Sequence, residues 1–193
     1  MVQSHFYAYM ARMKYVRRWN LRRNTRDEND QEHSLQVAMI AHALAVIRKK
    51  RYGGEIDMEK VMLLAVYHEA PEVITGDLAT PIKYFNPGIK DAFKGIEHMA
   101  SEKLLSYLPA DLRGEYESLL LPDETTPEWK LVKAADRISA YLKCIEEESY
   151  GNDEFSAARQ NILSSIEALG IPEAEDFLRE FAPSFALPLD ALN

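Results

Sequence analysis

The stretch from Val61 to Tyr67 carries no charged residue and is apolar on every side, the pattern of a helix buried all round rather than of an amphipathic surface helix. It runs straight into His68, Glu69, Ala70, Pro71, Glu72, Val73, Ile74, Thr75, Gly76 and Asp77. Polar groups at its end are therefore expected inside the protein too. A buried charge without a partner is costly, or shifts its pKa until the group is neutral. Basic side chains or a metal ion must then answer His68, Glu69 and Glu72. The alternative is a helix that surfaces at this point, with all three solvated.

The flanking segments read as helices. Asn29 and Glu32 have capping-box spacing, and Leu35, Val37, Ile40, Ala41, Leu44 and Ile47 recur at helical intervals to about Arg51. His33 falls in the first turn on the inward stripe with Val37, Ile40 and Leu44, whereas His42 is turned half a circle away. Tyr52-Gly53-Gly54 ends that helix, Asp57 caps the central one, and Gly76 should terminate it, with Pro71 as a kink. Ser4 is placed to cap a short first helix carrying Phe6, Tyr7, Met10 and Met13. Asn86-Pro87 and Thr126-Pro127 are cap-then-proline helix entries, the second opening a seam of Leu131, Ala135, Ile138, Leu142 and Ile145 bordered by Asp136. Further helices are expected around Leu112 to Leu121, from Glu154 to Leu169 and from Pro172 to about Phe181. No alternating run and no Asn-Gly or Asp-Gly hairpin appears. The expected fold class is all-α, a single domain over residues 1–193 built as a bundle of six to eight helices.

Composition narrows the partners. A chain of 193 residues, 47% of them apolar, can bury one full-sized core. The single cysteine, Cys144, excludes an internal disulfide framework, points to a reducing cytoplasmic setting, and reads as core within its apolar seam. No apolar run approaches the roughly 18 to 20 residues of a membrane span, nor does a signal-peptide core follow the N-terminus, so a soluble protein without a membrane partner is expected. The net charge is −8, yet Met1 to Arg26 holds seven bases and no acid, leaving 16 bases against 31 acids in the rest, a balance of −15. That remainder would repel a long nucleic acid, but not a small phosphate held by a metal. The basic segment is also dense in aromatics (Phe6, Tyr7, Tyr9, Tyr15, Trp19) built to pack, unlike a transit peptide. Arg22, Arg23 and Arg26 read as a solvated rim.

Four candidate ligands stand on three helices: His33, the adjacent His68 and Glu69, and Asp136. Two imidazoles and two carboxylates suit one divalent first-row metal and leave two positions for water and substrate. Helical neighbours diverge, so His68 and Glu69 can share an ion only from the wedge between them. Glu72, one turn after His68, could orient the attacking water or pass a proton to a leaving oxygen. A surface ion pair is its other possible role, as pairing with Lys133 is for Asp136.

The residues Glu32-His33-Ser34, Tyr67-His68-Glu69 and Lys133-Ala134-Ala135-Asp136 resemble the scattered His, His-Asp, Asp pattern of the HD-domain metal-dependent phosphohydrolases. Ser4-His5-Phe6, Arg17-Arg18-Trp19, Glu32-His33-Ser34-Leu35-Gln36-Val37-Ala38, Glu72, Thr75-Gly76-Asp77-Leu78, Thr80-Pro81 and Tyr141-Leu142-Lys143-Cys144 look like one branch, the bacterial 5′-deoxynucleotidases of the YfbR type. The similarity reaches from the N-terminus to about Phe185. It implies hydrolysis of deoxyribonucleoside 5′-monophosphates to deoxynucleoside and phosphate in a helical homodimer, with one divalent ion per chain (Co, Mn, Fe or Zn) held by His33, His68, Glu69 and Asp136. Arg18 would hold the phosphate, and His33, Glu69 and Asp136 would face it. Trp19 would pack on sugar or base and make a ribose 2′-hydroxyl unwelcome. Asp77 would accept the 3′-hydroxyl, and the backbone of Leu78, Ala79 and Thr80 would line the pocket. Glu72 would be catalytic. Two positions depart from the pattern: Glu69 stands where the family has Asp, and Ala79 where Pro is usual. Metal binding with altered geometry is the expected result. The other readings are an HD hydrolase of a nucleoside triphosphate or alarmone, and a nucleotide-binding module whose catalysis has lapsed.

Overall fold

The structure, a computed structural model, describes residues 3–79, 82 and 85–192. Its α-helices are α1 (Phe6–Met10), α2 (Asp30–Arg51), α3 (Met58–Tyr67), α4 (Glu72–Thr75), α5 (Pro87–Ser106), α6 (Arg113–Leu120), α7 (Pro127–Ser149), α8 (Ser156–Glu167) and α9 (Pro172–Glu180). Among the described residues, seven of these have eight residues or more, in keeping with the expected bundle. The sole β feature there is an isolated antiparallel bridge between Arg17 and Asn29.

Most helix starts follow from caps legible in the chain. Asn29 Oδ1 accepts from the backbone N–H of Gln31 (3.1 Å) and Glu32 (3.0 Å), Asp57 from Lys60 (3.0 Å), Asn86 from Ile89 (2.9 Å) and Thr126 from Trp129 (3.3 Å). Each satisfies a donor that the first turn leaves open.

The chain forms two compact units. The first gathers Met1–Leu21, Asp27–Ser34 and Val66–Asp123, around a core of Phe6, Ala70, Leu104, Leu108 and Leu120 against which Tyr9, Tyr67 and Tyr116 pack. Phe6 meets Tyr116 edge-on at 5.2 Å, and Tyr9 stacks on Tyr107 at 4.9 Å. Of the basic segment's aromatics, Phe6 and Tyr9 thus pack as expected, whereas Tyr7 and Tyr15 are exposed, a correction to that expectation.

The second unit gathers Arg22–Arg26, Leu35–Ala65 and Glu124–Asn193. Helix α7 is its spine: Leu131, Ala135, Ile138 and Leu142 are fully buried, the leucines and isoleucine contributing about 1.5–3 kcal/mol each. Helix α8 packs along α7, and Ser139 Oγ donates to Gln36 Oε1 of α2 at 2.9 Å. Burial pushes the Cys144 thiol up to about 12, so it is an unreactive core residue, as its seam implies.

Three local expectations are corrected. The run Val61 to Tyr67 is not buried all round: Val61, Leu64 and Ala65 are buried, while Met62, Leu63 and Val66 are exposed. The central helix does not continue to Gly76; it stops at Tyr67, turns through residues 68–71, and resumes as α4. Arg22 is half-buried, its guanidinium lying over the Phe155 ring and donating to the Glu154 carbonyl at 2.6 Å, while Arg23 and Arg26 are exposed as anticipated.

Candidate metal centre and phosphate site

Pro71 explains the break in the central helix. It has no N–H to give to the Tyr67 carbonyl, and its ring disfavours helical backbone at Ala70. The chain tightens instead: Ala70 N–H bonds Tyr67 O (2.9 Å) and Glu72 N–H bonds Glu69 O (3.0 Å), each spanning three residues. Helix α4 then ends at Gly76, whose φ of 72° is left-handed. In this turn His68 and Glu69 no longer diverge as helical neighbours would. His68 Nε2 lies 3.5 Å from Glu69 Oε1.

His33 reaches the same point from α2. Its side chain is only 1% exposed, its Nε2 is 3.7 Å from Glu69 Oε1, and its ring centroid is 5.3 Å from that of His68. Two ligands bound at about 2.1 Å in tetrahedral geometry stand roughly 3.4 Å apart. The observed spacings therefore match a shared cation, and nitrogen, nitrogen and oxygen are donors that suit it. The third asset is charge. Asp30 is completely buried, with neither carboxylate oxygen hydrogen-bonded, and Glu72 is buried with Oε2 likewise unbonded. Burial, then the charges of Glu69 and Asp30, push Glu72 up to about 11; burial, then Glu69, push Asp30 up to about 7. Several carboxyl groups thus crowd around one guanidinium and raise one another's pKa, a crowding that a divalent ion would relieve.

That guanidinium is Arg18. Its Nη1 donates to Glu69 Oε1 at 2.8 Å and lies 3.7 Å from Asp30 Oδ1, and its Nε is 3.8 Å from Glu28 Oε2. Arg17 instead points outward to an exposed pair with Asp27. Trp19 follows with φ 56°, the one positive value at a non-glycine among the described residues, at a cost of about 1–2 kcal/mol. Its indole N–H donates to Glu28 Oε2 at 2.9 Å. Backbone pairing braces the strained residue: Arg18 N–H bonds Glu28 O (3.0 Å) and Asp30 N–H bonds Val16 O (3.1 Å).

A cleft of about 430 Å³ opens beside these residues, lined by Arg12, Tyr15, Asn20, Glu72, Gly76 and Asp77 among others. Asn20 Nδ2 donates to the Asp77 carbonyl at 3.2 Å. Leu78 and Ala79 continue half-buried from Asp77; Thr80 lies outside the described residues. Asp136 is carried by α7 in the second unit, half-buried, where Lys133 Nζ donates to its Oδ2 at 2.6 Å. The first unit thus brings together Arg18, Trp19, His33, His68, Glu69 and Glu72. It adds Glu28 and Asp30, which reading the chain did not single out. Acids just before and at a helix start resemble ordinary dipole partners, so only their burial reveals them.

The fold is that of the HD-domain phosphohydrolases. A crystal structure of an HD-domain phosphohydrolase from Listeria innocua matches with a TM-score of 0.83 over 94% of this chain and 88% of that one, at 21% identity. The cyanophage S-2L HD phosphohydrolase DatZ, bound to dA and one catalytic Zn2+, matches with a TM-score of 0.66 over 95% and 99% of the two chains, at 16% identity. The chain belongs to the YfbR-like 5′-deoxynucleotidase family, whose profile matches residues 5–185. It is 48% identical over 194 residues to a 5′-deoxynucleotidase of Vibrio vulnificus, covering 100% of both chains. To 5′-deoxynucleotidase YfbR of Escherichia coli it is 47% identical, covering 100% of this chain and 98% of that one.

Proposed function

We propose that this chain hydrolyses deoxyribonucleoside 5′-monophosphates to deoxynucleoside and phosphate, using one divalent ion held by His33, His68, Glu69 and Asp136. The convergence of His33 Nε2 and His68 Nε2 on Glu69 Oε1, at 3.7 and 3.5 Å, carries the reading, and the family membership supports it. When bound, the ion supplies a water of lowered pKa as nucleophile and a counter-charge for the phosphoryl oxygens. Arg18 turns its guanidinium to the phosphate, for which a planar fork of donors is well shaped. Trp19 closes on the sugar and leaves no room for a 2′-hydroxyl, and Asp77 accepts the 3′-hydroxyl beside the backbone of Leu78, Ala79 and Thr80. Glu72, on the wall of the cleft, passes a proton to the 5′ oxygen as its bond to phosphorus breaks.

The finer assignments belong to the same proposal. The metal is Co, Mn, Fe or Zn, the mixed nitrogen and oxygen donors suiting each. The working form is a cytoplasmic homodimer with the whole chain acting as one domain. Exposed Leu35, Met39, Met62 and Leu63 supply apolar surface for a second copy, and the lone buried Cys144 suits a reducing compartment.

A phosphate-release screen tests the function. With each divalent ion in turn, release is expected from deoxyribonucleoside monophosphates, at least about tenfold less from their ribose counterparts, and none from triphosphates. Release from triphosphates alone would assign another phosphate ester, and no release with metal bound would leave a binding module. Glu72→Ala should lower turnover by about 10² to 10⁴ while the metal content stays the same. Unchanged turnover would remove Glu72 from the mechanism.

A further inference from the structure

We infer that Glu28 is a positioning residue whose single carboxylate sets both the metal ligand His33 and the nucleoside-facing Trp19. The inference rests on the metal-centre reading above. Glu28 is half-buried, its side chain 13% exposed, and its two oxygens serve different neighbours: Oε2 accepts from the Trp19 indole N–H at 2.9 Å, while Oε1 faces His33 Nδ1 at 3.7 Å. The Arg18 Nε, 3.8 Å from Oε2, adds a positive charge alongside. A carboxylate can only accept, so it favours the imidazole tautomer with hydrogen on Nδ1. That leaves the Nε2 lone pair of His33 directed at the side where Glu69 Oε1 and His68 Nε2 lie.

The backbone makes the arrangement possible. The Arg17 to Asn29 bridge and the flanking bonds from Arg18 N–H to Glu28 O and from Asp30 N–H to Val16 O lay residues 16–18 antiparallel to 28–30. This brings Glu28 beside Trp19, nine positions away in the chain, and five positions ahead of His33. Displacing the carboxylate would release the indole and the imidazole together. Metal affinity and the handling of the sugar are therefore coupled through Glu28, which acts through His33 and Trp19.

Glu28→Gln keeps the size and one acceptor, but an amide oxygen can serve only one of the two neighbours, and its NH2 opposes a hydrogen on His33 Nδ1. Zn2+ alone, titrated calorimetrically into metal-stripped protein, should bind E28Q some 10- to 100-fold more weakly than wild type. In a Trp129→Phe background, which leaves Trp19 as the reporting indole, E28Q should also shift the fluorescence emission. Wild-type Zn2+ affinity and unchanged emission in folded E28Q would overturn the role of Glu28 while leaving the centre intact. Failure of the wild-type protein to take up Zn2+ would overturn the centre itself, and this role with it. Should E28Q not fold, imidazole ¹⁵N shifts of the metal-stripped wild type decide: hydrogen on His33 Nδ1 is expected, and hydrogen on Nε2 would overturn the inference.

Discussion

The Glu147 carboxylate is almost completely buried, yet it stays ionised. Lys143 pairs with it, and the Thr25 amide (2.9 Å), the Thr25 hydroxyl (2.7 Å) and the Asn152 amide (2.8 Å) all donate to it. Burial alone would raise its pKa, but Lys143 and these hydrogen bonds outweigh burial and hold it at about 2, against the usual 4.5. The folded form thus binds this proton more weakly than the unfolded chain does. Its contribution is complete above about pH 4.5 and lost as pH falls toward 2. Glu147→Gln should cost about 3–5 kcal/mol in denaturant melts at neutral pH, because it strands the buried Lys143 charge, and should flatten the acid side of the stability profile. Among site residues, His33 was legible from its place on an apolar stripe, and His68 and Glu69 from following a charge-free run. Glu28 was not, because its importance arises only when residues 16–18 pair with 28–30.

At the level of the helix, punctuation was the most readable part of the chain. The Asn29, Asp57, Asn86 and Thr126 caps all stand where side-chain chemistry puts them. Asn29→Ala should therefore lower stability by about 1 kcal/mol, seen as a drop in melting temperature, and loosen the turn that carries His33. Less legible was the end of the central helix. Pro71 in the sequence implies a kink, but the structure shows a full stop followed by a single new turn. Burial around α3 was also overestimated, since an uncharged run says nothing about whether all its faces find partners within one copy of the chain.

Over the whole molecule, net charge and its distribution are what the sequence discloses best, and association is what it discloses least. The first 26 residues are basic and the remainder stands at −15, an asymmetry from which weak binding of long polyanions is expected. No helix among the described residues is long and apolar enough to cross a membrane. The proposed homodimer makes Met39, 64% exposed on α2, a sensitive position. Met39→Glu should turn a concentration-dependent dimer into a folded monomer by sedimentation, with a melting temperature that no longer depends on protein concentration. Wild-type protein that sediments as a monomer at every concentration would refute the dimer.

Trp19 occupies backbone space that most side chains avoid, held there by a short stretch of pairing between two connecting segments. Such a place opens sooner than a helix packed on every side. Deuterium should therefore replace the amide hydrogens of Arg18 and Asp30 well before that of Leu142 in α7, so that the mouth of the enzyme breathes while its frame stays closed. Equal exchange at all three would mean that this segment yields only when everything around it does.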